Sequence, residues 1–248
     1  MDIQLIPLVD NTSSALGLPG EHGLSLAVRL NDGSLWLWDT GASDLAARNA
    51  RALKVDISKA RGLALSHGHY DHTNGIEAFL EAGFSGPVHA HPESVAPCWS
   101  IRPDRPVRFI GWNNPEAVRP MLRPVRGVRV LAADAQGNPL LTMVTDIARL
   151  PGNAQHVGGF FCDEQGAAPH HVPDDACLVL HTPQGRVLVL GCCHSGLANT
   201  LAAADTATAH EADTGFACVL GGLHLMDVCE EDDARLRQTL DALARHHV

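Results

Sequence analysis

Aromatic side chains are scarce in this chain, with one tyrosine, six phenylalanines and four tryptophans among 248 residues. Basic residues are few as well: 18 Lys and Arg face 28 Asp and Glu, a net charge of −10. A protein that grips nucleic acid through its phosphates carries the opposite balance, so no nucleic-acid partner is expected. No apolar stretch approaches the ~20 residues of a bilayer span, so no membrane association is expected. Met1–Val9 lacks the basic head and long apolar core of a signal peptide. The seven cysteines (Cys98, Cys162, Cys177, Cys192, Cys193, Cys218, Cys229) are odd in number and hold no C-x-x-C pair. That argues against a disulfide framework and a zinc ribbon, and a reducing cytoplasm is the expected setting.

Apolar content is ample at 45%, enough for the buried core of one large domain spanning 1–248. Apolar runs at Ile3–Val9, Leu24–Leu30 and Ser34–Trp38 read as strands, the last two joined through Asn31-Asp32-Gly33. A helix over Ser43–Leu53, opened by a capping serine, precedes a buried strand at Gly62–Leu65. A helix near Asn74–Ala82 and a strand at Val88–His91 follow. Residues 97–173 are rich in Pro, Gly and Arg and read as an irregular elaboration. Seven arginines fall between Arg102 and Arg129 there, either a solvated face or a rim that gathers an anionic substrate. Strands return at Cys177–His181 and Arg186–Leu190, then a helix from Leu197 to Ala204 and a strand at Ala217–Leu220. The last helix begins in Glu230, Glu231, Asp232 and Asp233, with Leu236, Leu240 and Leu243 expected as its buried stripe.

Histidine is in excess, at 15 residues, and its placement is ordered. Directly after the strand at Gly62–Leu65 stands Ser66-His67-Gly68-His69-Tyr70-Asp71-His72. Imidazole and carboxylate suit zinc, iron or manganese, and His67 and His69, one residue apart in an extended loop, can point the same way. Asp71 and His72 diverge from that pair and can serve a second ion, while Gly68 lets the backbone turn close by. His194 and His224 each follow an apolar strand and a glycine, the same strand-end context, and are expected as further ligands. Glu21, His22 and His91 are candidates for the substrate side. The adjacent His246 and His247 are expected to be exposed.

H-x-H-x-D-H after a short strand, preceded by Trp38-Asp39-Thr40-Gly41, resembles the metallo-β-lactamase superfamily. Asp10-Asn11, Glu21–Ser25, Gly191-Cys192-Cys193-His194-Ser195-Gly196 and Gly221–Leu225 narrow the resemblance. They are similar to the branch named after a dihydropterin-type synthase of methanopterin biosynthesis, the DHPPP synthase-like metallohydrolases. The resemblance implies an α/β (α+β) fold, a four-layer αββα sandwich with metal at the sheet edge. It implies that Asp39 holds the histidine loop by hydrogen bonds, and that His224 is the last metal histidine. Cys192 stands where many relatives carry a bridging aspartate, so it is a possible ligand. Cys193 in place of serine, the altered Thr145–Arg149 segment and Asn74 in place of glycine depart from the branch and leave the substrate open.

These readings converge on an enzyme, a metallohydrolase with one or two divalent ions, zinc first and manganese or iron as alternatives. Metal-activated water would attack an ester, lactone, amide or phosphoester of a small, possibly anionic molecule, with Asp71 as catalytic base where one ion is bound. Two alternatives keep the site. One is a transferase of pterin-type biosynthesis acting on a ribosyl-phosphate-like group; the other is a non-enzymatic metal or small-molecule sensor. The oligomeric state is not legible in the sequence.

Overall fold

The computed structural model describes residues 3–153, 155, 157–209, 215–225, 233–246 and 248. Glu230, Glu231, Asp232, His247 and Cys229, named above, lie outside the described residues. The chain begins with β1 (Gln4–Val9), β2 (Ser25–Arg29), β3 (Leu35–Trp38), α1 (Leu45–Ala52) and β4 (Ala60–Ala64). Next come α2 (Tyr70–Thr73), α3 (Ile76–Glu81), β5 (Val88–Ala90), β6 (Trp99–Arg102), β7 (Arg105–Phe109) and β8 (Leu122–Pro124). Then follow β9 (Val128–Ala133), β10 (Pro139–Val144), β11 (Phe160–Phe161), β12 (Cys177–Thr182) and β13 (Gly185–Leu190). The described elements end with α4 (Leu197–Thr208), β14 (Phe216–Leu220) and α5 (Ala234–His246). Two compact units result, Met1–Pro124 with Gly159–His170, and Val125–Gly158 with His171–Val248.

The first unit is built on a six-stranded sheet in the order β1-β2-β3-β4-β5-β8. Its β1–β2 and β2–β3 pairs are antiparallel, and β3 onward is parallel. Every residue of Leu35-Trp36-Leu37-Trp38 is buried, as expected for a strand covered on both faces. The β2–β3 turn closes through Leu30 N–H to the Ser34 carbonyl at 2.9 Å, with Gly33 at φ +83°. At the start of α1 the N-cap is Asp44, and Ser43 Oγ accepts the Leu45 N–H at 3.1 Å. Leu37, Leu63, Leu65, Ile76, Phe79 and Val88 lie in the core beneath the sheet. Beside it, β11-β6-β7 form a small antiparallel sheet.

The second unit is a five-stranded sheet, β14-β13-β12-β10-β9, antiparallel except for β13–β14. Its core gathers Val179, Leu188, Leu190, Leu197, Leu201 and Phe216. The segment 97–173 contributes the short strands β6 to β11, whose pattern is hidden in the sequence because β7 is exposed at every position and β9 at most. One expectation is corrected. In α5, Leu240 is exposed, and the buried positions are Thr239 and Ala242. The packed face is thus turned away from Leu240 and lined by small residues, with Leu243 at its margin on the core.

Two glycines set how closely the loops of the first unit stack. A Cβ on Gly68 would lie 2.1 Å from the Ser94 carbonyl oxygen, and one on Gly23 would lie 2.2 Å from that of Asp71. Both contacts are with backbone, which cannot swing aside as a side chain can. The histidine loop is therefore gripped from two sides, by 23–24 and by 94, and Leu24 N–H donates to the Asp71 carbonyl at 3.3 Å.

Candidate metal centre

Strand β4 ends in the core and hands the chain to Ser66, where Asp39 waits at the end of the neighbouring β3 with φ +55°. Asp39 is fully buried. Its Oδ1 accepts the Ser66 N–H at 2.7 Å, and its Oδ2 takes Ser66 Oγ at 2.7 Å and His72 Nδ1 at 2.7 Å. A carboxylate only accepts, so His72 carries its proton on Nδ1 and turns an Nε2 lone pair outward. The Ser66 hydroxyl has one proton and gives it to Asp39. It therefore accepts from His67 Nδ1 at 2.9 Å, which leaves the His67 lone pair on Nε2 as well. One aspartate thus fixes the tautomer of two histidines, the usual way a protein readies imidazole for a cation.

The lone pairs have partners in place. His67 Nε2 lies 3.0 Å from His69 Nδ1, and the two rings meet edge to face at 4.5 Å. His69 turns its Nε2 to Cys98 Sγ at 3.5 Å and packs on Phe160 at 5.1 Å. His72 Nε2 lies 3.6 Å from Asp71 Oδ2. His22 Nε2 stands 3.4 Å from the same oxygen. The Asn11 side chain orients His22: its Oδ1 accepts the Gly23 N–H at 3.1 Å and lies 3.2 Å from His22 Nδ1. Because a backbone N–H can meet only an acceptor, that atom is oxygen, and His22 holds its proton at Nδ1. Asp71 Oδ2 thus faces the Nε2 atoms of both His72 and His22, three atoms able to ligate a cation placed among them. His67, His69, Asp71 and His72 are all buried, so the donor set fits a divalent cation.

Two further candidates, Glu21 and His91, also belong to the first unit. Both carboxylate oxygens of Glu21 are engaged next to α1: Oε1 accepts the N–H groups of Ala42 and Ser43, and Oε2 takes Ser43 Oγ at 2.5 Å. His91 is buried and accepts the Glu93 N–H on Nδ1 at 3.2 Å.

In the second unit, His194 and His224 follow β13 and β14, their rings 4.6 Å apart. The two strand-end loops touch through Gly222 N–H to the Gly191 carbonyl at 2.9 Å. Cys193 and His224 take positive φ, +54° and +48°, the strained backbone common at functional turns. Cys192 is partly exposed in that turn, whereas Cys193 is buried, which pushes its thiol up and keeps it protonated. Asp175 anchors the loop, its Oδ2 accepting the Ser195 N–H at 2.6 Å. Burial, with repulsion from Asp174 behind it, pushes the Asp175 carboxyl up to about 6 against the opposing Ser195 bonds and Arg149.

A raised carboxyl pKa means that the folded protein takes up a proton before the unfolded chain does. Asp175 therefore costs stability as pH rises from about 4 to 6, and the cost stays level above that. The full cost of a shift to about 6 is roughly 3 kcal/mol. Asp175→Asn is expected to erase this slope: the stability of wild type relative to the variant, read by urea unfolding from pH 4 to 8, falls up to pH 6 and is flat beyond. A constant difference across the range would contradict the assignment.

The family model for the metallo-beta-lactamase superfamily matches residues 18–214. The chain belongs to that superfamily. Members of the metallo-β-lactamase superfamily typically bind divalent metals. A 7,8-dihydropterin-6-methyl-4-(β-D-ribofuranosyl)-aminobenzene-5′-phosphate synthase of Methanocaldococcus jannaschii is similar to this chain, 24% identical over 91% of it and 77% of its own. Uncharacterized protein MJ0448 of the same organism is 24% identical over 90% of this chain and 80% of its own. Among solved structures, Tm1679, described as a metal-dependent hydrolase of the β-lactamase superfamily, superposes with a TM-score of 0.77. It is 25% identical, with 100% of this chain and 85% of that one covered. The α+β metallo-β-lactamase fold expected from the motif is the fold of this chain. No helix among the described residues is long and apolar enough to cross a membrane.

Several residues that build the centre carry no motif of their own. Ser66 relays Asp39 to His67, Cys98 faces His69, and Phe160 packs on it from a distant segment. Ser66 had a signal, a hydroxyl between strand and first histidine; Cys98 and Phe160 had none.

Proposed function

We propose that this chain is a metal-dependent hydrolase of small ester, lactone, amide or phosphoester substrates. The observation that carries the reading is the donor set of the histidine loop, two tautomer-fixed imidazoles aimed at His69 Nδ1 and Asp71 Oδ2 at 3.0 and 3.6 Å. His67, His69, Asp71 and His72 would hold one or two divalent ions, zinc in the first instance, with His194 and His224 as further ligands. Cys192 is a possible ligand in the same proposal. Held there, a divalent cation would supply Lewis acidity toward water and the substrate's oxygen.

The chain's own groups do the rest. Asp39 and Ser66 hold the rings of His67 and His72 in place. Asp71, where a single ion leaves it uncoordinated, would accept the proton of the attacking water; His22, with Nδ1–H kept on Asn11, would take that same proton from Asp71 on Nε2 and pass it to the leaving group. The M. jannaschii synthase favours a second reading, transfer of a ribosyl-phosphate-like group in pterin-type biosynthesis. We assign the protein to the cytoplasm, a setting that suits the free thiols of Cys162, Cys177, Cys193 and Cys218.

The test is reconstitution with zinc, manganese or ferrous iron, metal analysis, and a panel of phosphoesters, lactones and acyl esters. Tight binding of at least one ion per chain and metal-dependent turnover on the panel are expected. Protein that stays metal-free, or binds metal without turnover on any member, overturns the hydrolase.

A further inference from the structure

Tyr70 is the chain's one tyrosine and sits between His69 and Asp71. Its N–H donates to the Ile110 carbonyl at 2.9 Å, which ties the histidine loop to the end of β7. From that strand Arg108 reaches back over the Tyr70 ring, with its guanidinium carbon 5.7 Å from the centroid, and Nη2 donates to the phenol oxygen at 3.3 Å. On the other side the His22 ring lies 6.5 Å from that of Tyr70. Arg108, Tyr70, His22 and Asp71 thus form one continuous wall beside the candidate ligands.

Arg108 differs from Arg105, Arg119, Arg123 and Arg126 in what balances its charge. Arg105 pairs with Asp104, Arg119 with Glu116 and Arg126 with Asp146. Arg123 lies on the carbonyls of Pro120 and Leu122. Among the described residues no carboxylate pairs with Arg108; its bond is to a neutral phenol. That bond takes one of the five guanidinium N–H groups, and the exposed remainder keeps the planar fork that binds an oxyanion. Stacking on an aromatic ring restricts the long side chain, so less freedom is lost when a ligand arrives.

We propose that Arg108, steadied on Tyr70, is the oxyanion-binding edge of the metal centre, and that the substrate carries a phosphate or carboxylate next to the bond that breaks. This rests on the hydrolase reading for the word substrate, but the binding it predicts is measured without turnover. The test is calorimetric titration of the zinc-loaded protein with phenylphosphonate, and separately with benzoate, in wild type, Arg108→Ala, Tyr70→Phe and Arg105→Ala.

Arg108→Ala is expected to weaken at least one of the two anions by about tenfold or more, as suits loss of a charge-assisted pair. Tyr70→Phe should fall between, and Arg105→Ala should bind as wild type does. The anion that responds identifies the substrate's charged group. Equal affinities in wild type and Arg108→Ala would mean that the anion is held by the cation alone, and equal losses in Arg105→Ala and Arg108→Ala would mean a diffuse surface field; either overturns the proposal. If the ester panel is inert while Arg108→Ala still loses phenylphosphonate, the hydrolase falls and the anion site stands.

Discussion

His67→Ala is expected to yield a folded protein that no longer retains metal through gel filtration and no longer turns over any substrate the wild type accepts. His67 is fully buried, its Nδ1 proton committed to Ser66 and its Nε2 set 3.0 Å from His69 Nδ1. Alanine removes a candidate ligand atom and opens the space its ring filled against His72, 4.3 Å away. Loss of a partner that merely orients a ligand costs ~10–100-fold in metal affinity, and loss of the ligand itself must exceed that. Elemental analysis of the purified variant and its rate on the best panel substrate check both halves. Asp71→Ala should behave alike. Wild-type metal content or activity in either variant would remove the histidine loop from the chemistry.

Asp39→Asn should produce the second large effect through the same loop without touching a ligand. The carboxylate accepts from Ser66 N–H, Ser66 Oγ and His72 Nδ1 at 2.7 Å each. An amide oxygen can replace one acceptor, but the amide nitrogen then faces a donor. Either His72 moves its proton to Nε2, where the lone pair was, or the bond is lost. Zinc affinity is expected to fall ~10–100-fold. A buried donor left unmet costs ~1–3 kcal/mol, so the melting temperature should drop by several degrees. Competition with a chelator and a thermal scan of the metal-free protein separate the two losses. Unchanged zinc affinity in Asp39→Asn would mean that tautomer control is irrelevant here.

What could be read in advance followed from how each segment is covered. Buried strands announce themselves by composition, so Leu24–Leu30, Ser34–Trp38 and Arg186–Leu190 come within a residue or two of β2, β3 and β13. The strands of 97–144 do not, because the exposed Arg105-Pro106-Val107-Arg108-Phe109 has no apolar alternation to report and its proline suggests a loop. Leu240 was misassigned because helical spacing cannot tell which of two adjacent stripes meets a neighbour, and close packing on the alanine-rich α4 favours Thr239 and Ala242. At the candidate metal centre, ligand-type residues were legible because they cluster in the chain. Of the groups that orient them, Asp39 was expected through the resemblance alone, and the parts of Ser66 and Asn11 were not, since Asp39 to Ser66, and His22 to Asn11, pair residues far apart in the chain.

The course of the polypeptide has a practical consequence for dissecting this protein. The first compact unit is not a single stretch: Phe160 and Phe161 return after an excursion of more than thirty residues to hydrogen-bond Trp99 and Ser100. A gene truncated after codon 124 would encode the whole histidine loop, yet leave β6 with a bare edge and His69 without the ring of Phe160 beside it. Such a fragment would present unpaired amide groups ready to pair with another copy, and it would aggregate sooner than fold. Splitting the chain for complementation or segmental labelling therefore requires a break that keeps 159–170 with 1–124.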